Sequence, residues 1–369
     1  MTIGGVFMQI IADRRTLHRI PELDRDLPKT MEYLENSLKG LKCKVFSPMQ
    51  GALCAYFDFG AEKTIAFRSD ADALPITEQS ERDYVSCHPG KMHACGHDGH
   101  MAIALELARR INGKKSLNRN VLIVFQPAEE TTGGAKDLCD TGIFLYYNVE
   151  AIFGLHLWPG VESGAIYSRR GEMMSRSCEV KVNITGKSAH IAKAYEGIDA
   201  MAAAVEFYQK ARALEQSLPE NVFRILNFGK FQSGAVCNAV SGHSRLEGTL
   251  RAFQDEIFFS LQDGLRQIGE EVARTTGCDV ELSMGAGYPA VMNPPELYDR
   301  VRSWVSFREL AAPSMITEDF SWYQRSLPGV FFFLGTGDSP ALHSQNFDFD
   351  ENILVNGAEF FEKIAEAYQ

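Results

Sequence analysis

A chain of 369 residues exceeds what one hydrophobic core usually supports, so the expectation is two folded domains. A formal charge of -11 argues against nucleic acid or an anionic membrane as partner, because both repel an acidic surface. Hydrophobic and charged fractions of 45% and 23% are those of a globular chain and exclude a long disordered tail.

In chain order, residues from Gln9 to Ile20 read as a helix that stops at Pro21, and a second helix runs from Pro28 to Gly40. The short apolar runs Ala52 to Phe57, Thr64 to Arg68, Val121 to Phe125 and Ala151 to Leu157 read as buried strands, with a helix from His100 to Ile111 among them. From Ser175 the pattern changes to alternation: a strand at Glu179 to Ile184, a helix from Asp199 to Leu214, and strands at Arg224 to Phe231 and Ser244 to Phe253. A long amphipathic helix from Asp255 to Thr275 and a strand from Asp279 to Met284 complete that region. The order strand, helix, strand, strand, helix, strand is that of a ferredoxin-like α+β unit. We therefore expect an α/β catalytic domain over residues 1–174 and 288–369, with a mixed, largely parallel sheet flanked by helices. Residues 175–287 form an inserted lid or dimerisation domain, and the outer domain closes with a strand at Phe331 to Leu334 and a helix from Glu351.

No basic segment precedes the apolar residues of the amino terminus, so no signal peptide is expected. No apolar run approaches the ~20 residues of a spanning helix. Eight cysteines without CxxC spacing suggest reduced thiols and a cytoplasmic protein. The short basic clusters at Arg14-Arg15 and Arg169-Arg170 read as solvated faces.

Four segments carry chemistry. Met92 to His100 (MHACGHDGH) packs three histidines and a cysteine just before a helix, and the spacing of Cys95 and His97 lets both point inward from a loop. Gln126 to Gly134 (QPAEETTGG) places two adjacent carboxylates at the end of an apolar strand, where open α/β sheets bind ligands. Such neighbours repel unless a cation lies between them or one is protonated. His156, in GLHLWP, lies at the end of an apolar strand, and His343, in ALHS, follows the last one. Each segment alone fits a blander account: a capped helix start, a solvated acidic pair, a satisfied core histidine. Together they offer a thiolate, imidazoles and carboxylates to one crevice, which is the donor set of a catalytic rather than a closed structural metal site. No GxSxG elbow, phosphate loop or dinucleotide turn competes.

At these residues the sequence closely resembles the aminoacylase and carboxypeptidase-like family of co-catalytic metallopeptidases, in its branch of N-acyl-amino-acid amidohydrolases. The match includes RTLHRIPE (15–22), RSDADALPI (68–76), HACGHDGH, QPAEE, GLHLWP, GKSAH (186–190), Asn238, LEGTLR (246–251), EDF (318–320) and Leu342-His343. What the resemblance implies is a metal set of Cys95, His97, Glu130, His156 and His343, with Glu129 as general base and Asp70 and Asp72 orienting the ligands. It implies two divalent transition metal ions, zinc or manganese, with cobalt and nickel open. It makes His190 an oxyanion donor reaching a neighbouring subunit of a homodimer, and Asn238 and Arg251 substrate contacts. One departure stands out: where the branch usually has Pro-His after its histidine, this chain has Ala194-Tyr195, which leaves the local substrate wall undetermined. The implied activity is hydrolysis of the amide of an N-acetyl, N-benzoyl or similar amino acid. The alternatives are an N-acetyldiaminopimelate deacetylase or a dipeptidase of the same family and, from a different class, a non-catalytic metal- or peptide-binding protein.

Overall fold

The computed structural model describes residues 3–285 and 287–369. By contact, the chain divides into two units: residues 1–173, 292–313 and 319–369 form one, and 174–291 with 314–318 form the other.

The larger unit is built on an eight-stranded mixed sheet. Its centre is parallel: Thr64–Asp70 lies between Asn120–Gln126 and Val149–Pro159, and Val149–Pro159 pairs in parallel with Gly329–Gly337. Leu53–Phe57 adds an antiparallel strand outside Asn120–Gln126, and Lys44–Phe46 lies beyond it. Thr64–Asp70 and Asn120–Gln126 are buried at every position. That burial explains why they read as continuous apolar runs: helices cover both faces of a parallel sheet, leaving no wet side to alternate with. One core joins the sheet to the helices His97–Asn112 and Leu354–Ala367, with Phe67 packed between Phe153 and Phe361.

The smaller unit runs Arg176–Thr185, Ala200–Gln216, Arg224–Ser233, His243–Ala252, Asp255–Thr276 and Asp279–Met284. Its four strands form an antiparallel sheet in spatial order fourth, first, third, second. Cys178, Val180, Val182 and Ile184 face the two helices, whose Ala203, Phe207, Phe258, Leu261 and Leu265 complete the core. The period of two in Arg176–Thr185 is therefore the imprint of a sheet covered on one face.

The structure departs from the sequence reading in several places. The helix expected from His100 begins at His97, so His97 occupies its first turn rather than a loop. Gly96 precedes it in the left-handed region, φ 85°, and swings the chain from Cys95 directly into the helix. Thr64–Asp70 runs two residues past its expected end, onto Asp70, and Val149–Pro159 runs two residues past each of its expected ends. Gly134–Asp140, Ile143–Tyr146 and Pro295–Trp304 are further helices that the pattern did not announce. Arg14, read as a solvated face, is 1% exposed. Its guanidinium donates to Asp98, Tyr84, Glu351 and Asp348, and charge pairing rather than solvent accounts for its place in the sequence. None of the eight cysteines is disulfide-bonded, and no described helix is long and apolar enough to cross a membrane.

Candidate metal centre

The acidic and imidazole groups come from the carboxyl ends of neighbouring parallel strands. Thr64–Asp70 ends on Asp70 and leads to Asp72, and Asn120–Gln126 leads into Glu129 and Glu130. His156 lies near the end of Val149–Pro159. Strands that run the same way finish along one line, which is why three distant sequence segments meet.

Asp72 organises the meeting. Its carboxylate accepts the backbone N–H of Glu129 at 3.0 Å and of Glu130 at 3.1 Å, pinning the loop that carries both. That loop turns at Ala128, which is buried with φ 59°. Left-handed backbone at an alanine is strained, and the bond from the Ala128 N–H to the Asp24 carbonyl helps to hold it. The Asp72 carbonyl accepts from His97 Nδ1 at 2.8 Å, which fixes the tautomer and leaves Nε2 facing Asp70 at 3.6 Å and Glu130 at 3.8 Å. His343, also left-handed at φ 63°, is tied by its N–H to the Ala94 carbonyl and brings Nε2 to 3.4 Å from Glu130. Cys95 Sγ lies 3.5 Å from His156 Nε2.

The donor atoms of Cys95, Glu130 and His343 lie within 4.8 Å of one another, as do those of His97, Glu129 and Glu130. All five residues of the expected metal set, and Glu129, are thus neighbours. Two buried atoms among them, His97 Nε2 and Glu130 Oε1, have no hydrogen-bond partner among the described residues. A buried polar atom without a partner costs about 1–3 kcal/mol, so two side by side call for a ligand.

The electrostatics describe that ligand. Burial opposes charge on His97, yet Asp70, Glu130 and Asp72 raise it to about 9. Burial, then Glu130, Glu129 and Asp70, push the Cys95 thiol well above its usual value, so a thiolate needs a nearby cation. Burial lifts Asp72 to about 7, with Glu130 adding to it against the pull of His97. The carboxylates thus reward positive charge at the His97 Nε2 lone pair, and a proton there would find no acceptor within hydrogen-bond range. A divalent cation meets both demands, and the mixture of sulfur, nitrogen and oxygen donors suits a late transition metal.

Sequence reasoning assigned no role to His100, Arg68, Gln126 or Asp319. Arg68 is buried and donates to Asp70, Gln126 and Asp319; Asp319 also accepts from Gln126 Nε2 and from the Ala135 N–H. This network ties the two strand ends to the far side of the glutamate loop. A charged residue inside an otherwise apolar strand, as Arg68 is, was the signal available. His100 belongs by position to a cluster with Asp70, His97 and His156, although both its nitrogens are engaged.

His190, Asn238 and Arg251 belong to the smaller unit. His190 is exposed, its Nδ1 accepts from the Ala192 N–H at 3.1 Å, and Asn238 is adjacent, its carbonyl accepting from Ile191 N–H at 3.0 Å. Arg251 is separate. The register pairs His243 with Thr185 and Arg251 with Ser177. Arg251 therefore sits roughly 25 Å along the strand from the end that leads to His190. Its Nε is buried without a hydrogen-bond partner among the described residues.

A largely parallel α/β sheet whose strand ends, together with the start of the helix His97–Asn112, gather thiol, imidazole and carboxylate donors around unpaired buried atoms is the architecture of a metal-dependent hydrolase. Comparison with known proteins gives the lineage. Residues 66–367 match the model of peptidase family M20/M25/M40, and the chain belongs to that family. An uncharacterized hydrolase of Staphylococcus haemolyticus is 33% identical over 96% of this chain and 97% of its own. A crystal structure from methicillin-resistant Staphylococcus aureus, whose protein carries a provisional aminohydrolase designation, superposes with TM-score 0.91 at 27% identity, covering 100% of this chain and 98% of that one. A dinuclear metal binding peptidase of the M20 family from Bacillus subtilis superposes with TM-score 0.85 at 27% identity over 98% of each chain.

Proposed function

We propose that this hydrolase cleaves the amide bond of small N-acylated amino acids at a centre of two divalent transition metal ions held by Cys95, His97, Glu130, His156 and His343. The observation that carries the reading is the pair of unpartnered buried atoms, His97 Nε2 and Glu130 Oε1, with Glu129 beside them. The metal supplies Lewis acidity, which acidifies water and polarises a carbonyl.

The chain's own groups do the rest. Glu129 takes the proton of the attacking water on its carboxylate and delivers it to the leaving nitrogen. Asp72 holds the adjacent glutamates in place by accepting both backbone N–H groups. The Asp72 carbonyl orients His97 through Nδ1, as metal-bound imidazoles require, and Asp70 acts through His100. His190 donates to the developing oxyanion, Asn238 contacts the amide, and Arg251 pairs with the substrate carboxylate, a role its unpartnered Nε supports. Because Arg251 and the His190–Asn238 pair lie at opposite ends of the small sheet, they serve two different sites. That separation supports a homodimer in which His190 completes the partner's centre. Zinc and manganese suit the donor set, as do cobalt and nickel.

The test separates the two glutamates. Glu129→Gln is expected to keep metal while turnover falls ~100- to 10,000-fold, the usual effect of losing a general base. Glu130→Gln is expected to lose metal. Metal analysis beside kinetics on an N-acetyl and N-benzoyl amino acid panel, with N-acetyldiaminopimelate included, reads both. Wild-type turnover in Glu129→Gln would remove the assigned base.

A further inference from the structure

His100 lies among the ligand histidines, and its ring centroid is 4.5 Å from that of His156. Its hydrogen bonds decide what it can do there. Nδ1 stands 2.6 Å from Asp70 Oδ1, and Nε2 accepts the backbone N–H of Leu157 at 2.8 Å. An N–H can bond only to a bare ring nitrogen, so Nε2 carries no proton and Nδ1 donates to Asp70. The Nε2 lone pair is thereby taken, and no nitrogen of His100 is left for a metal.

The other backbone polar group of Leu157 holds the next histidine. The Leu157 carbonyl accepts from His156 Nδ1 at 2.6 Å, which leaves His156 Nε2 as the bare nitrogen facing Cys95 Sγ. Past Gly154 the strand Val149–Pro159 has no ladder partner on the side of Thr64–Asp70, whose pairing ends at Arg68. Two imidazoles take up the N–H and the C=O of Leu157, which the ladder no longer serves. A separate contact presses the same residue against the helix His97–Asn112: a Cβ at Gly99 would lie 2.7 Å from Leu157 Cδ1, so only glycine lets the helix approach this closely.

We infer that His100 is a positioning residue that clamps the Leu157 backbone and so aims His156 Nε2 into the metal centre. This rests on the reading of His156 as a ligand. Asp70 anchors the clamp from below, since it is held in turn by Arg68. The chain of contacts runs from the Arg68 guanidinium through Asp70, the His100 ring and the Leu157 peptide to His156, and sets the tautomer at each imidazole.

Asparagine and glutamine divide the two bonds of His100 between them. His100→Asn places an amide near the position of Nδ1 and can still donate to Asp70, but cannot reach Leu157. His100→Gln reaches the position of Nε2 and can still accept the Leu157 N–H. The experiment loads purified apo-protein with Co2+ and measures affinity by chelator competition, together with the thiolate-to-cobalt absorption band and amide exchange of the peptide spanning Leu157. The expectation is a ~10- to 100-fold loss of Co2+ affinity in His100→Asn, the scale seen when a group supporting a ligand is removed. Faster exchange at Leu157 and an altered absorption band should accompany it, while His100→Gln stays within about fivefold of wild type. His156→Ala is measured alongside. If His156→Ala binds Co2+ like wild type, the ligand reading fails and the clamp with it. If His156→Ala loses Co2+ but His100→Asn does not, the clamp alone is wrong. Equal, severe losses in His100→Asn and His100→Gln would make His100 a ligand itself and overturn the assignment.

Discussion

Raising the pH from about 6 to about 9 is expected to weaken the larger unit through one buried imidazole, His18. Its Nδ1 lies 2.8 Å from Asp98 and its Nε2 3.2 Å from Glu78, while the ring meets Tyr84 edge-on. Two carboxylates facing two ring nitrogens require a proton on each, so the native group is an imidazolium. Burial works against that charge, but Asp98 and Glu78 outweigh it and raise His18 to about 9. The folded state therefore holds this proton more tightly than the unfolded chain, whose histidine titrates near 6.5. The resulting stability is fully present below about pH 6.5 and is lost as the pH climbs through about 9. At about 1.4 kcal/mol per pH unit across that interval, the loss is about 3 kcal/mol, a large share of a typical unfolding free energy of roughly 5–15 kcal/mol. Urea unfolding of metal-free protein, followed by tryptophan fluorescence, measures it. Trp158, Trp304 and Trp322 are the only tryptophans and all belong to the larger unit, so the signal reports that unit alone. His97 is also raised to about 9 and weakens the unit over the same range, so the informative quantity is wild type minus His18→Gln at each pH. That difference should shrink by about 3 kcal/mol between pH 6.5 and pH 9. A difference that does not change with pH would show that His18 is neutral in the folded state and would refute the reasoning.

Arg14→Met should destabilise the larger unit by ~3–5 kcal/mol, because it strips the guanidinium from the fully buried Asp98 and leaves Asp348 and Glu351 facing each other without it. Urea unfolding by the same fluorescence signal checks this, and a change under about 1 kcal/mol would mean that the cluster relaxes around the loss. For the proposed dimer, His190→Ala and Glu129→Gln chains should each be nearly inactive alone and regain part of the activity when mixed, because one site in the mixed dimer has both groups. Sedimentation alongside the kinetics gives the control, and a monomer with full activity would contradict the arrangement.

Much of the architecture was legible because burial writes itself into residue periodicity. The continuous apolar runs at Thr64 to Arg68 and Val121 to Phe125 could only be strands covered on both faces, and the alternation at Glu179 to Ile184 a strand covered on one. The candidate metal residues were legible for a different reason. Thiol, imidazole and carboxylate groups are costly to bury, so their density at Cys95 to His100, at a helix start, and at Glu129-Glu130, past a strand end, singles them out. The sequence could not assign each side chain its partner. Nothing in the run Cys95 to His100 distinguishes His97, whose Nε2 is left unpartnered, from His100, whose Nε2 is filled by the Leu157 N–H, since the difference lies in a strand more than fifty residues away. Arg14 looked like a surface cation because a guanidinium is buried only when carboxylates from elsewhere surround it. Those at Asp98, Asp348 and Glu351 arrive through tertiary packing alone. Composition and period thus determined which apolar residues had to be inside; the crossing of helix and strand decided which polar groups joined them and which of their atoms would be left without a partner, and it is those atoms that make a site.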